Sequence, residues 1–207
     1  MSEPPTPPLL IVISAPSGGG KTTLCQKLLA SDPHMTRAIT CTTRAPRPGE
    51  EHGVDYYFFS EAEFDRRLQA GEFLEDAQVF GHHYGTLKSE VLDRLRAGAD
   101  VLLNIDVQGA STIRSKARTV PEIHRALCTI FLTVPSLEVL ARRLRKRAQD
   151  QPDVIEARLK VARQEFAHWR DFEYVIISGT ADEDLSRAQA ILQAEKMRCT
   201  RVTPPEI

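Results

Sequence analysis

The chain has 207 residues, of which 42% are hydrophobic, so it is long enough for one well-buried core and too short to need two. Its 27 lysines and arginines balance 28 aspartates and glutamates, and its overall charge therefore attracts neither nucleic acid nor an anionic membrane surface. The four cysteines form no C-x-x-C pair, which argues against a zinc site or a disulfide framework and favours a reducing, cytoplasmic location. No apolar run approaches the ~20 residues that span a bilayer.

Both ends of the chain are predicted to be tails. Residues 1–8 are rich in proline and contain one charged side chain, Glu3, which is unlike a signal peptide and predicts a disordered or extended segment. A P-x-x-P ligand is the alternative for these residues. Residues 198–207 are predicted to form a loose tail.

The first strong pattern is an apolar run, Leu9–Ile13, followed by a glycine cluster and then by leucines at helical spacing. Apolar, mostly branched residues bounded by proline and glycine predict a strand buried on both faces, and hence a parallel sheet. The cluster matches G-x-x-x-x-G-K-[ST] except that Ala15 replaces the first glycine. Strand, glycine turn and helix together predict a phosphate-binding loop for a nucleoside triphosphate. Its residues are Ala15, Pro16, Ser17, Gly18, Gly19, Gly20, Lys21, Thr22 and Thr23.

Each part of this loop suits a phosphate. Glycines allow the backbone N–H groups and the helix N-terminus to approach the anion closely. Lys21 adds a mobile cation for the β- and γ-phosphates, and the Thr22 hydroxyl is a ligand for the Mg²⁺ that accompanies ATP.

A proline-stiffened loop with two arginines follows a short polar strand predicted at residues 36–42. Arg44 and Arg47 are three residues apart and held by Pro46 and Pro48, so they cannot form one face of a regular helix. Guanidinium groups bind phosphate in a bidentate manner, so the loop is interpreted as an anion site. The alternative is a solvated surface loop.

The next elements are a helix, a strand, a turn and a second helix. A capping box at Ser60 begins a helix that ends at Ala70. Residues 72–80 alternate loosely, as in a strand with carboxylates on one side. Residues 81–86 are predicted to be a glycine-flanked turn, and residues 87–97 a helix. The paired histidines in the turn are assigned no role, because no third metal ligand accompanies them.

Three further strands are predicted at residues 101–106, 127–132 and 173–177, and a last amphipathic helix at 182–197. The first of these strands ends in polar residues, which places Asp106 at the edge where open α/β sheets bind ligands. Strands that alternate with helices along the whole chain predict an α/β three-layer sandwich with a mainly parallel central sheet.

A helix that begins after Ser136 carries a run of basic side chains, which is usually only a solvated face. Arg143 and Arg147 nevertheless lie four residues apart on one face. Arg158 lies eleven residues further on, three turns away if the helix resumes past Pro152. A mobile helical pair could bring all three arginines onto a triphosphate.

Three stretches together resemble the guanylate kinase family: Ala15 to Thr22, Thr42-Thr43-Arg44-x-Pro46-Arg47-x-Gly49-Glu50 through Tyr56, and Ile105-Asp106-x-Gln108-Gly109. The likeness spans residues 9–197. It implies a P-loop NTPase fold with a core at 9–36, 88–137 and 161–197, a GMP-binding insert at 37–87 and a helical lid at 138–160. It also implies a monomeric or homo-oligomeric enzyme of purine nucleotide metabolism that transfers the γ-phosphoryl group of ATP to GMP or dGMP with Mg²⁺.

The resemblance further implies a role for each matching residue. The GMP phosphate would be held by Arg44, Arg47, Tyr56 and Tyr84, and guanine would be read by Thr40, Glu75, Thr86 and Asp106. Catalysis would rest on Lys21, Arg44, Arg143, Arg147 and Arg158. Mg²⁺ would be bound by Thr22, with Asp106 as a second candidate ligand.

Three positions depart from the family pattern. Asn104 stands in place of a usual aspartate, Ala148 in place of a usual glycine, and Ser178-Gly179 in place of an Asn-Asp pair near the adenine. These changes predict weaker or water-mediated Mg²⁺ coordination and altered adenine contacts. Two other functions are weighed against a GMP kinase: a non-catalytic guanylate-kinase-like module that binds a phosphorylated peptide, and a kinase for a ribose bisphosphate.

Overall fold

The structure, a computed structural model, describes residues 7–79, 81–146 and 152–202. A short 3₁₀-helix at Ala167–Asp171 precedes the last strand. The other elements within these ranges are, in chain order, β1 (Leu10–Ser14), α1 (Lys21–Ser31), β2 (Met35–Arg37), β3 (Thr40–Thr42), β4 (Tyr56–Phe58), α2 (Glu61–Gln69), β5 (Phe73–Val79), β6 (His82–Leu87), α3 (Lys88–Arg96), β7 (Asp100–Asn104), α4 (Val107–Ala117), α5 (Pro121–Ala126), β8 (Leu127–Thr133), α6 (Leu137–Lys146), α7 (Pro152–Phe166), β9 (Tyr174–Ile177) and α8 (Ala181–Lys196).

Five parallel strands in the order β2-β7-β1-β8-β9 form the central sheet. Every residue of β1 is buried, and Val12 packs on one face while Ile13 packs on the other, because side chains alternate along a strand. Helices α3, α4 and α5 cover the first face, and α1 and α8 cover the second. The predicted α/β sandwich with a mainly parallel central sheet is confirmed.

A second sheet, in the order β4-β3-β6-β5, lies within the predicted insert. Its own small core is built on Phe64 and Phe73, whose ring centroids are 4.4 Å apart. Its strand β5 meets α4 of the main layer, where Lys116 Nζ donates to the Phe73 carbonyl at 3.0 Å. The two sheets therefore share α4 as a common support.

The single strand predicted at residues 36–42 is two strands, β2 and β3, one in each sheet. The change occurs at Ala38 and Ile39. Ala38 is buried in the main core and its N–H bonds to the Leu102 carbonyl, whereas the Ile39 N–H bonds to the Glu90 carboxylate at 2.9 Å. The main-chain ladder ends there, and the chain passes to the second sheet.

The glycine-flanked turn predicted at residues 81–86 is wrong, because His82–Leu87 is strand β6. Gly85 is in that strand because a side chain there would meet the Phe73 ring and the Glu75 carbonyl within 3 Å. Close packing, and not a turn, accounts for this glycine.

Helices α4 and α5 have no counterpart among the predicted elements. Asp106 caps α4 by accepting a hydrogen bond from the Gly109 N–H at 2.8 Å. Gly109 lowers the helical propensity of this stretch and obscures the pattern. Asp106 thus lies at the junction between the end of β7 and a helix.

Helices α6 and α7 pack on each other through Leu140, Leu144 and Ala162. Together these two helices include most of the residues of the predicted lid at 138–160. Arg147 and Ala148 lie outside the described residues, as do residues 1–6 of the predicted N-terminal tail.

The predicted loose tail at 198–207 is anchored as far as Val202, the last described residue. Arg201 is almost fully buried, donates to the Leu127 carbonyl at 2.8 Å and pairs with Glu195, which has no exposed surface. Tyr174 and Arg198 also bond to the Glu195 carboxylate. A buried carboxylate requires such partners, and two of them, Arg198 and Arg201, come from the segment predicted to be loose.

Replacing Arg201 by Ala should therefore destabilise the protein by about 3 kcal/mol, because it leaves a buried carboxylate short of its main counter-ion. Replacing Arg198, whose side chain is 50% exposed and which pairs with the same carboxylate, should cost less than about 1 kcal/mol. Urea unfolding of both variants measures the difference. Equal stability of the two variants would show that Arg201 is not an anchor.

Candidate functional site

The phosphate-binding loop joins β1 to α1, in the context predicted for it. Gly18 and Gly20 have positive φ angles of 87° and 102°, which favour glycine, and the loop is closed by a hydrogen bond from the Gly19 N–H to the Pro16 carbonyl at 2.8 Å. The loop and Glu165 line a cavity of about 530 Å³. Thr22 and Thr23 are exposed at its margin.

The side chain of Lys21 is fixed by the neighbouring strand β7. Its Nζ donates to the Ile105 carbonyl at 2.7 Å, just past the end of that strand. Burial lowers the pKa of Lys21, and the carboxylates of Asp106 and Glu165 oppose this effect. The ammonium group is thus held beside the loop, with acidic side chains around it.

Glu165, on α7, was not among the predicted site residues. Its Oε2 accepts a hydrogen bond from the Ser17 N–H at 3.1 Å, which is a donor of the phosphate-binding loop. Burial raises the pKa of Glu165, against the effects of the Ser17 bond and of Lys21. No local motif indicates this contact, because 148 residues separate its partners.

Glu75 and Thr86 face each other across β5 and β6. Both are buried, and Thr86 Oγ1 donates to Glu75 Oε1 at 2.6 Å. Burial raises the pKa of Glu75, with contributions from Asp106 and Asp76, and the Thr86 bond opposes the rise. Sequence analysis predicted both residues, and the structure brings them together.

Arg44 lies against Tyr56 and Tyr84. Its Cζ is 5.5 Å from the centroid of the Tyr56 ring, and the centroids of the two tyrosine rings are 6.2 Å apart. Its Nη2 donates to both oxygens of Glu50 at 2.9 Å, and this bond is the main reason that the pKa of Arg44 is raised; Tyr84 adds to the rise. Arg47 is exposed, and its N–H also bonds to Glu50. Glu50, inside the quoted motif but not predicted as a site residue, thus organises the arginine loop.

Asp106 connects the two halves of the site. Its carboxylate is close enough to influence the pKa of Lys21 and Glu165 on the loop side and of Glu75 on the second sheet. Thr40 lies in β3, paired in register with Tyr56. Asp106 therefore lies between the cationic Lys21 at the loop and the buried Glu75 carboxylate of the second sheet.

The predicted lid arginines differ in what the structure shows of them. Arg143 Nη1 lies 3.4 Å from the Gly19 carbonyl and 3.1 Å from Ser178 Oγ, so this side chain touches the loop. Arg158 is on α7 and half-buried. Arg147 lies outside the described residues.

Comparison with known proteins agrees with this geometry. The family model for guanylate kinase matches residues 8–195. The chain belongs to the guanylate kinase family. A guanylate kinase of Ruegeria pomeroyi is 42% identical over 199 residues, covering 96% of this chain and 90% of that protein. One from Methylobacillus flagellatus is 44% identical over 189 residues, covering 91% and 90%. The crystal structure of guanylate kinase from Anaplasma phagocytophilum has a TM-score of 0.71 and 35% identity, covering 95% of this chain and 90% of that one.

The predicted family and enzyme class are confirmed: the protein is a phosphotransferase that phosphorylates GMP. Neither alternative, the phosphopeptide module or the ribose bisphosphate kinase, has support among these relatives. Within the described parts of the guanylate kinase, no group of three or more His, Cys, Asp or Glu side chains could hold a metal ion. The same residues contain no helix with the length and apolar character that a membrane crossing requires.

Burial of Glu75 predicts a pH-dependent stability for the guanylate kinase. The raised pKa means that the folded protein holds a proton on Glu75 more tightly than the unfolded chain, whose glutamates titrate at about 4.3. The wild type should therefore lose stability, relative to Glu75→Gln, as pH rises from about 4 to 7. At pH 7 the glutamine variant should be the more stable in the absence of ligand.

Urea unfolding at stepped pH measures this difference, with Glu61→Gln as a control because Glu61 is exposed. A Glu75→Gln variant that is less stable at pH 7, or whose difference from the wild type does not change with pH, would contradict the assignment.

Proposed function

We propose that this guanylate kinase transfers the γ-phosphoryl group of ATP, bound as its magnesium complex, to a phosphate oxygen of GMP. The observation that carries the proposal is the buried Glu75–Thr86 pair, which lies near Asp106 while Lys21 and the phosphate-binding loop lie on the other side of the same aspartate. This arrangement supports a base-reading role for the pair and a triphosphate site at the loop, with Asp106 close to both.

The base selected by such a pair is guanine. Its N1–H and N2–H₂ groups are donors, which complement the Glu75 carboxylate, and O6 is an acceptor for a hydroxyl such as Thr40 or Thr86. Adenine would place the lone pair of its N1 against the carboxylate. Buried polar groups left unpaired in this way can give discrimination of about 10⁴ to 10⁵.

The phosphate of GMP would bind at the arginine loop. Arg44 already lies between Glu50 and two tyrosine rings, so little side-chain entropy is lost when it binds the anion. Tyr56 and Tyr84 supply hydroxyl groups, and Arg47 supplies a second guanidinium from the exposed side of the loop.

No general base is needed for the transfer. The second pKa of a phosphate monoester is about 6, so GMP is mostly a dianion at neutral pH. A GMP phosphate oxygen attacks the γ-phosphorus, the bond from that phosphorus to the β-phosphate oxygen breaks, and ADP leaves. Lys21 and the lid arginines Arg143, Arg147 and Arg158 would neutralise the charge on the transferring group.

The magnesium ion fits as part of the nucleotide substrate. The Thr22 hydroxyl is exposed beside the loop and Asp106 lies near Lys21, which provides one or two oxygen ligands; the triphosphate and water would supply the others. Bound there, the ion would supply positive charge that offsets the negative charge of the triphosphate.

The acceptor range tests this proposal. In a coupled assay with ATP and Mg²⁺, GMP and dGMP should be phosphorylated, whereas AMP, UMP and a ribose bisphosphate should react at less than about one ten-thousandth of the kcat/KM for GMP. Equal rates with GMP and AMP would exclude Glu75 as the guanine-reading residue.

Replacing Lys21 by Ala should lower kcat by about 10² to 10³ while GMP affinity stays within a few-fold, because Lys21 acts on the ATP side. Steady-state kinetics and calorimetric titration with GMP separate the two effects. Lys27→Ala is the matched control, since Lys27 lies on the same helix and pairs with the exposed Asp182. Loss of GMP affinity with kcat unchanged would contradict the role of Lys21.

A further inference from the structure

A buried serine and a buried aspartate hold the guanidinium of Arg143. Ser178 follows β9 and is 5% exposed, and Asp184 lies in the first turn of α8 and is 6% exposed. Ser178 Oγ donates to Asp184 Oδ2 at 2.7 Å, and Arg143 Nη1 donates to Ser178 Oγ at 3.1 Å. The three side chains form one chain of hydrogen bonds that ends at the lid helix α6.

The direction of these bonds is dictated by chemistry. A hydroxyl has one proton, and an ionised carboxylate can only accept, so the Ser178 proton points to Asp184 and its lone pairs face Arg143. Asp184 Oδ1 is held in turn by the Gly179 N–H at 2.9 Å. The carboxylate therefore fixes the hydroxyl in the orientation that receives the guanidinium.

The network places Arg143 at the phosphate-binding loop. Its guanidinium also lies near the Gly19 carbonyl, 3.4 Å from Nη1, and the Gly179 carbonyl, 3.4 Å from Nη2. A cavity of about 320 Å³ is lined by Arg143, Ser178, Gly179 and Asp184, and also by Gly18 and Gly20 of the loop. An arginine at this position can contact a nucleotide that occupies the loop.

The local sequence suits this arrangement and departs from the Asn-Asp pair usual in the family. Thr180 and Glu183 form a complete capping box for α8, in which the Glu183 carboxylate bonds to the Thr180 N–H at 2.8 Å. That carboxylate occupies the space that a side chain at Gly179 would need. Because residue 179 is glycine, the capping box can form. The capping box in turn stabilises the first turn of α8, which contains Asp184.

We propose that Ser178 and Asp184 are positioning residues, which hold Arg143 against the phosphate-binding loop for binding of the phosphoryl donor. The role rests on the proposed function only for the identity of that donor, ATP. A flexible arginine on a lid helix loses rotamer freedom on binding, and a pre-formed hydrogen-bond chain reduces this cost. The chain of bonds acts through Arg143 and does not itself contact the guanine side of the site.

The test is the affinity for MgATP measured by calorimetry without GMP, so that it does not depend on which acceptor is used. Ser178→Ala should weaken MgATP binding about three- to tenfold, and Ser178→Thr, which keeps the hydroxyl, should restore most of it. GMP affinity should not change. Ser186→Ala, an exposed serine on α8, is the matched control, and thermal unfolding verifies that each variant folds.

A double-mutant cycle with Arg143→Ala separates positioning from a purely structural effect. In the Arg143→Ala background, Ser178→Ala should have no further effect on MgATP affinity. An equal loss in both backgrounds, or a wild-type affinity for Ser178→Ala, would overturn the proposal. Failure of the protein to phosphorylate GMP would contradict the proposed function and leave this cycle interpretable.

Discussion

The site depends on one main-chain carbonyl, that of Ile105. It accepts a hydrogen bond from the Ser14 hydroxyl at 2.8 Å and another from Lys21 Nζ at 2.7 Å. Ser14 is the last residue of β1, and Ile105 follows the parallel neighbour β7, so both ends of the phosphate-binding loop are tied to the same point of the sheet. One residue later, Asp106 caps α4, which supports the second sheet. The phosphate-binding loop and the second sheet are therefore connected through the few residues around Ile105.

The side chains and main-chain groups that we propose to bind phosphate are bonded to other protein atoms in the structure. Glu50 pairs with Arg44, Glu165 accepts from the Ser17 N–H, and Ser178 accepts from Arg143. Such partners keep cationic side chains in place, and they also compete with the substrate. The affinity for each nucleotide is thus the difference between new contacts and those given up. The proposed role of Glu75 depends on the same balance, because a buried and poorly solvated carboxylate would be stabilised by the donor groups of a bound guanine.

The elements that sequence analysis predicted well have strong local patterns. The apolar run before Ala15, the glycine loop and Lys21 were identified because strand, turn and helix adjoin, and the Glu75–Thr86 pair followed from the family resemblance. Sequence analysis failed where the local structure is determined by contacts between residues that are far apart in the chain. Gly85 resembles a turn residue but faces Phe73 in a strand, and α4 is obscured by Gly109. Glu165 and Asp184 belong to the site only because the fold brings α7 and α8 to the loop. No pattern of residue spacing in the sequence predicts this proximity.

The central claim is that two nucleotides bind face to face across the junction at Asp106, one at the loop of Lys21 and the other at Arg44. An inhibitor that links adenosine and guanosine through a pentaphosphate tests it most directly, because one molecule should fill both sites. Calorimetry should give one molecule bound per chain, and steady-state inhibition should be competitive with both ATP and GMP. Two molecules bound per chain, or competition with only one substrate, would contradict the claim.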